Sequence, residues 1–379
     1  MRARERRLGT LSEPDFSKDI IAIVGVGLIG GSLGLAFRRA GIGKRIIGVS
    51  RTETVDRAKE QGAIDEGFAY DDLENGIADA DYVFLCTPIS RILELLPRCL
   101  AAAKSGCVVT DVGSTKRALV EAAGGHGRSD VSFIGGHPMA GSEWKGVDAA
   151  DPFLFQNAIY VLTPGVGAER EPVERMISMI TRIGAHAMEM DPVTHDRVAA
   201  AISHLPQMMA TALVSLVGNM NEKDGLPLKM AAGGFRDMTR IASSPFEMWR
   251  DICKTNAAPI KDTIDAYLVA LSALRDRIDK DALESDFAYA NEVRDRIPRD
   301  SKGFLNPLHE LLLVVEDKPG VIANVASSLA DVEINIRDIE VLKVREGEGG
   351  SLRFGFGQAD ERERASQTLT ALGYTVLSR

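Results

Sequence analysis

The stretch "IIAIVGVGLIGGSLGLAFRRAG", residues 20–41, constrains this chain more than any other. It starts as an apolar run rich in β-branched residues, Ile20 to Val24, and breaks into glycines. It then resumes with apolar residues at helical spacing, Leu28, Leu33, Leu35 and Phe37. The order is strand, glycine-rich turn, helix. Gly25, Gly27 and Gly30 fit GxGxxG, in which the first glycine makes the turn and the second lets a pyrophosphate approach the backbone. The third lets the helix pack closely on the strand, and the amides that open the helix, at Leu28 and Ile29, face the phosphates. The motif therefore predicts a Rossmann-like dinucleotide-binding domain.

The alternation of strand and helix continues. "RIIGVS" ends at Ser50-Arg51, where the fingerprint expects an acid for the ribose 2′-hydroxyl. A hydroxyl and a guanidinium stand there instead, which leans toward NADP, while the nearby Glu53 keeps NAD open. "ADYVFLCTP" reads as a buried strand ending at Thr87-Pro88, "GCVVTDVGSTK" as a strand running into a loop with Ser114, and "VSFIGGH" as a strand ending at His137. Such a pattern predicts a parallel doubly wound sheet with its ligands beyond the carboxyl ends of the strands. Thr87, Ser114 and His137 all fall at those ends. Gly135, Gly136, Ala140 and Gly141 surround His137, so this backbone can come close to another molecule. "NAIYVLTP" and "GAHAMEM" read as the last two strands, and the domain is expected over residues 19–190.

At Asp191 the composition changes to an all-α domain, expected over 191–298. "THDRVAAAISHLPQMMATALVSLVGNM" is apolar on nearly all faces, which predicts burial in a core or between subunits of a dimer. Pro206 predicts a kink or break. His195 and His204 are nine positions apart, roughly opposite on one helix, so they share no ligand without such a break. Residues 299–307 read as a linker, and 308–379 as a βαββαβ, ferredoxin-like domain.

Composition narrows the partners. A formal net charge of −9 argues against nucleic acid or an anionic membrane. Cys86, Cys99, Cys107 and Cys253 form no CxxC pair, which indicates a reducing compartment and small buried side chains. Neither HExxH nor a Cys/His cluster suggests a metal. Residues 1–18 read as a mobile tail on a cytoplasmic protein, and no stretch reads as apolar for long enough to cross a bilayer.

Taken together, "GVGLIGGSL", "FLCTP", "VTDVGSTK", "FIGGHPMAGSE", "SHLP", "GGFRDMTRIA", "MWRDI" and "EDKPGVIANV" resemble the prephenate/arogenate dehydrogenase family, in the form with a C-terminal ACT regulatory domain. The resemblance runs from about residue 19 to the end. It implies oxidation of prephenate or arogenate with NAD or NADP and loss of CO₂, giving 4-hydroxyphenylpyruvate or tyrosine. It implies that His137 accepts the hydroxyl proton, that Ser114 orients that hydroxyl or the nicotinamide, and that Arg240 binds a substrate carboxylate. His204, Gln207, Ser142 and Glu143 match positions near the substrate. Gln207 stands where relatives often have histidine, which leaves prephenate and arogenate both open. Lys116, Arg236 and Arg250 could serve as extra anion partners, with a structural role the favoured reading for each. In the ACT-like domain Asp317, Gly320 and Val321 would form a turn and helix start for an amino-acid carboxylate, faced by Asn335 and Ile336 on the next strand, with tyrosine as the implied effector.

Three rivals remain at this point. A hydroxyacid dehydrogenase with an ACT tail would carry its nucleotide domain mid-chain. A β-hydroxyacid dehydrogenase would need a catalytic lysine for which no match is evident. A non-catalytic amino-acid sensor would have no use for Ser114, His137 and Arg240.

Overall fold

Alternate residues of each central strand feed two separate cores. Ile21 and Ile23 of the first strand, with Tyr82 and Phe84 of the fourth, pack into one. Ala22 and Val24, with Val83 and Leu85, pack into the other. A strand whose side chains are apolar on both faces must be covered on both, and this is the physical origin of the doubly wound arrangement. These relations come from a computed structural model, which describes residues 14–377 apart from 142–143, 166, 281, 298–307, 317 and 346–348.

Two compact units divide between Asp286 and Phe287. In the first, an eight-stranded sheet holds β1 (Ile20–Val24), β2 (Arg45–Val49), β3 (Glu66–Phe68), β4 (Tyr82–Leu85), β5 (Val108–Asp111), β6 (Ser132–Pro138), β7 (Ile159–Pro164) and β8 (His186–Glu189). Their spatial order is β3-β2-β1-β4-β5-β6-β7-β8. Helices α1 (Leu28–Arg39), α2 (Thr52–Glu60) and α6 (Arg170–Arg182) supply buried side chains to the first core. Helices α3 (Leu73–Ile77), α4 (Ile89–Ala102) and α5 (Arg117–Gly124) supply the second. The six strands β1 to β6 run parallel, but β6 and β7 pair antiparallel. The all-parallel expectation is corrected there. Among its described residues the 139–158 connection carries a short 3₁₀ turn, Val147–Ala149, in place of the helix that usually makes a parallel crossover.

Residues 14–18 also depart from expectation. Phe16, read as part of the tail, is buried in the first core, edge-on to Tyr82 with ring centroids 6.2 Å apart. The rest of that tail, residues 1–13, lies outside the described residues.

Close packing of α1 depends on glycine at two positions. A Cβ at Gly30 would overlap the Gly25 carbonyl oxygen, and one at Gly34 would overlap that of Ala63, both backbone atoms with little freedom to move. Gly34→Ala is expected to destabilise the fold by about 1–3 kcal/mol, since overpacking forces backbone shifts of that cost. Urea unfolding of the two proteins measures it.

The helices α7 (Pro192–Ala199), α8 (Leu205–Asp224), α9 (Leu226–Lys229), α10 (Gly233–Thr239), α11 (Phe246–Thr255) and α12 (Ala257–Arg275) follow. Pro206 does not break the chain of helix. Instead a π-helical turn, Ala200–His204, joins α7 to α8, with the Leu205 amide donating to the Ala200 carbonyl. Without a Pro206 N–H the Ile202 carbonyl loses its usual partner, and the widened turn accommodates that loss. The resulting helix, Pro192–Asp224, is long and apolar enough to cross a membrane by length and composition, contrary to the sequence reading, because residues 198–221 carry no charged side chain. It nevertheless buries His195, Asp196, His204 and Gln207 within this unit. Beyond Ala210 it leaves Leu216 and Met220 exposed, as α12 leaves Leu268 and Val269.

Helix α13 (Glu284–Arg296) spans the division between the units. The second unit contains β9 (His309–Val315), α14 (Val321–Ala330), β10 (Asp338–Arg345), β11 (Gly349–Phe356), α15 (Ala359–Ala371) and β12 (Thr375–Leu377). This βαββαβ run folds into an antiparallel sheet ordered β10-β11-β9-β12, over a core that includes Leu311, Leu313, Leu329, Phe354 and Phe356.

Candidate active site

The glycine-rich turn opens a cleft of about 320 Å³ lined by Gly25, Val26, Gly27, Ser50, Arg51, Arg57, Thr87, Pro88 and Asp148, among others. Gly25 holds a left-handed conformation, φ +97°, and a Cβ there would press on Cys86 and Thr87. Gly27 caps α1 without a side-chain hydrogen bond, and the space where its Cβ would stand is open. The first amides of α1, at Leu28 and Ile29, precede the point where intrahelical bonding begins. On the wall of the same cleft the Thr87 hydroxyl is buried and, among the described residues, has no hydrogen-bond partner. An uncapped helix start, an open glycine and an orphan hydroxyl fit the pyrophosphate and ribose of a dinucleotide. Arg51 starts α2 at the rim of this cleft, whereas Arg57 donates to Asp148 at 2.9 Å.

His137 sits near the carboxyl end of β6, only 8% exposed. Strand order places β4 and β5 between it and the glycine turn of β1, three strand spacings or about 14 Å away. Its Nδ1 lies 2.8 Å from Nε2 of His195, whose Nδ1 lies 2.8 Å from Oδ1 of Asp196. Asp196 also accepts the amides of Lys116 (2.7 Å) and Arg117 (3.0 Å), the residues that open α5. A carboxylate at a helix N-terminus meets both unpaired donors and the positive end of the helix dipole. Asp251 of α11 repeats the device on α4, accepting the Ser90 amide at 2.8 Å. Two carboxylates of the helical segment thus cap two helices of the sheet, and the Thr115 and Thr255 hydroxyls, 2.7 Å apart, add a further bond between the two segments.

Beneath His137 is a fully buried ion pair, Lys116 and Asp111. Lys116 also donates to the Gly136 carbonyl at 2.6 Å, and Asp111 accepts the amides of Gly113 (2.7 Å) and Gly136 (3.1 Å). Lys116 is therefore structural, as read from the sequence. Burial pushes the Lys116 ammonium down and the Asp111 carboxyl up, and their mutual attraction opposes both shifts. Burial also holds His137 well below the ordinary histidine value, helped by the Lys116 charge and by His195 and His204. His204 is pushed down to about 4, chiefly by burial. Both rings are neutral at pH 7.

The sequence reading kept His195 and His204 from sharing a ligand unless the helix were interrupted, and the π turn Ala200–His204 is such an interruption. Asn256 donates to the Asp196 carbonyl at 2.8 Å and lies 3.1 Å from His204 Nδ1, so one buried network contains both histidines. The π turn between them shifts the helical phase. His204 further stands edge-on to Trp249, 5.8 Å between centroids. Gln207 is buried one turn along, its amide 3.5 Å from the Thr211 hydroxyl. Ser114 is half-buried in the bend after β5. Arg240 opens a 3₁₀ turn, Arg240–Ser243, and is exposed. Ser142 and Glu143 lie outside the described residues.

Sequence reasoning overlooked Asp196 and Asn256 and gave His195 no place at the site. The available signal was the adjacent His195-Asp196 pair just after the Asp191-Pro192 helix start, whose Asp191 side chain caps α7. In the second unit, Gly320 and Val321 do form the start of α14. Asn335 and Ile336 are not on the next strand: β10 begins at Asp338, Asn335 is exposed, and Ile336 packs on the core. Buried Ile334 pins the segment just before the strand. Asp317 lies outside the described residues.

Residues 33–189 match the prephenate dehydrogenase nucleotide-binding domain, and residues 191–291 match the prephenate dehydrogenase dimerization domain. The chain belongs to the prephenate dehydrogenase family. A curated relative, prephenate dehydrogenase of Bacillus subtilis, is 39% identical over 362 residues, covering 93% of this chain and 96% of the relative. Among solved structures, Aquifex aeolicus prephenate dehydrogenase in complex with hydroxyphenyl propionate and NAD⁺ is 32% identical with a TM-score of 0.67. That match covers 76% of this chain and 98% of the other. Synechocystis arogenate dehydrogenase is 35% identical with a TM-score of 0.66, covering 73% and 99%. Like its family, this prephenate dehydrogenase relative is an NAD(P)-dependent oxidoreductase.

Proposed function

We propose that this chain oxidises prephenate to 4-hydroxyphenylpyruvate and CO₂, with His137 as the base. The observation that carries the reading is a buried imidazole, held neutral, near the end of β6 and across the sheet from a dinucleotide-shaped cleft. A neutral ring can accept the substrate hydroxyl proton as positive charge develops at the carbinol carbon. The bound dinucleotide supplies the hydride acceptor. Gly25, Gly27, Gly30 and the first amides of α1, from Leu28 and Ile29, hold its pyrophosphate, with Thr87 and Pro88 along the wall. Ser50 and Arg51 suit a 2′-phosphate, which favours NADP over NAD. Ser114 orients the reacting hydroxyl or the nicotinamide. Arg240 pairs with a substrate carboxylate, a task its planar fork serves well. His204, Gln207, Ser142 and Glu143 complete the substrate side. Loss of the ring carboxylate makes the ring aromatic, so positioning and one proton transfer suffice.

Buried Gln207 supports a second reading, arogenate as substrate, because an amide binds either a carbonyl or an ammonium. The exposed apolar rows of α8 and α12, within the segment that matches a dimerization domain, support a homodimer. We assign the βαββαβ unit as an ACT module that binds tyrosine as feedback effector through Asp317, Gly320, Val321, Asn335 and Ile336. A cytoplasmic location fits the four unpaired cysteines. The test is absorbance at 340 nm with prephenate or arogenate and NAD or NADP, each with and without tyrosine. Prephenate with NADP is expected to give the highest kcat/KM, lowered by tyrosine. No turnover in any combination would refute the enzymatic reading.

A further inference from the structure

We infer that His195 and Asp196 are positioning residues that set the tautomer of His137, so that its Nε2 carries the bare lone pair. The inference rests on the reading of His137 as the base and deepens it. A carboxylate only accepts, so the 2.8 Å contact between Asp196 Oδ1 and His195 Nδ1 requires the proton on that nitrogen. With Nδ1 as the single protonated nitrogen of His195, its Nε2 is the acceptor. It lies 2.8 Å from His137 Nδ1, which must donate. His137 is neutral, with its one proton thereby committed to Nδ1, and Nε2 remains as the acceptor. The opposite tautomer of His137 would place two lone pairs against each other inside a buried contact.

The rings meet edge-on, 69° between planes with centroids 5.0 Å apart, so each nitrogen points along the contact rather than stacking over it. Asp196 is 2% and His195 3% exposed, so water does not compete for these bonds. Asp196 is itself fixed from a third side by the Lys116 and Arg117 amides at the start of α5. Its carboxylate belongs to the helical segment and its clamp to the sheet. The base is consequently aligned only when the two are docked, with no hinge between the carboxylate and the imidazole it steers. Among the described residues, other titratable groups around His137 include Lys116, Asp111 beyond it, and His204, with Tyr160 on the neighbouring strand β7. None of these makes a hydrogen bond to the His137 ring among the described residues.

Two measurements test this. The first uses the full-length protein with ¹⁵N-labelled histidine, of which the chain has only 6. Long-range ¹H–¹⁵N spectra at pH 7.5, with the His137 signals assigned by their absence from His137→Asn, distinguish a protonated from a bare ring nitrogen. A protonated Nδ1 and bare Nε2 on His137 are expected; the reverse overturns the inference. This readout needs no substrate, so it stands even if the proposed reaction proves wrong. The second compares His195→Leu with His195→Gln, whose amide oxygen can still accept from His137. The Leu variant is expected to lose about 10²-fold in kcat with KM little changed, as a base loses its alignment. Gln should recover most of that loss. A Leu variant within about 3-fold of wild type, or a Gln variant no better than Leu, sinks the proposal; matched dinucleotide affinities exclude misfolding as the cause.

Discussion

Replacing His137 with asparagine is expected to lower kcat by about 10³-fold, within the range that a positioned base contributes. KM and dinucleotide affinity should change little, because the dinucleotide cleft and its glycine turn lie across the sheet from β6. Steady-state rates and fluorescence titration with the reduced dinucleotide separate the two. The wild-type pH profile carries a second expectation. Burial and the Lys116 charge hold the His137 pKa below the ordinary value, so the ring stays unprotonated from neutral pH downward past about 6.5. Activity is lost only at lower pH, as the base takes up a proton before the substrate can supply one. In His137→Asn this acid limb should disappear. An asparagine variant that keeps full kcat would remove His137 from the chemistry.

Lys116→Met is expected to destabilise the protein by about 3–5 kcal/mol, the cost of leaving one buried charge without its partner. Asp111 would keep only the amides of Gly113 and Gly136, and the Gly136 carbonyl would lose its donor. The sign of the pH dependence follows from Asp111. Burial already raises its pKa, and losing the ammonium raises it further. A carboxyl whose pKa is raised in the folded state favours folding at low pH, and that contribution is lost as pH rises through the folded value. The deficit of the variant should therefore be smaller at pH 5 than at pH 8 in urea unfolding. A deficit that is flat with pH would show that Asp111 is not the group left stranded.

Much of the architecture was legible because its causes are local. A run of β-branched residues, a glycine turn and a 3.6-residue apolar period need no partner to declare strand, turn and helix, and β1, α1 and β2 appear where "IIAIVGVGLIGGSLGLAFRRAG" and "RIIGVS" indicate. Where pattern gives out, so did the reading. The three-residue strand β3 is too short for a period to register. The reversal at β7 depends on a connection without a helix, not on anything within β7 itself. Phe16 looked like tail because a lone aromatic among polar neighbours becomes core only when Tyr82 and Arg175 arrive beside it.

The site divides along the same line. The glycine fingerprint, the Ser50-Arg51 pair after β2 and a histidine flanked by small residues are all contiguous in the chain, and the sequence determined them by itself. Tertiary structure alone decided that His195, 58 positions from His137, would bond to it, and that Asp196 would cap α5 and orient His195 together. It also decided that a π turn would bring His204 into the same network. Hydrogen bonds of this kind carry no periodic trace, because each is set by a single side chain meeting another across an interface. They exist only once burial removes the water that would otherwise satisfy the same groups.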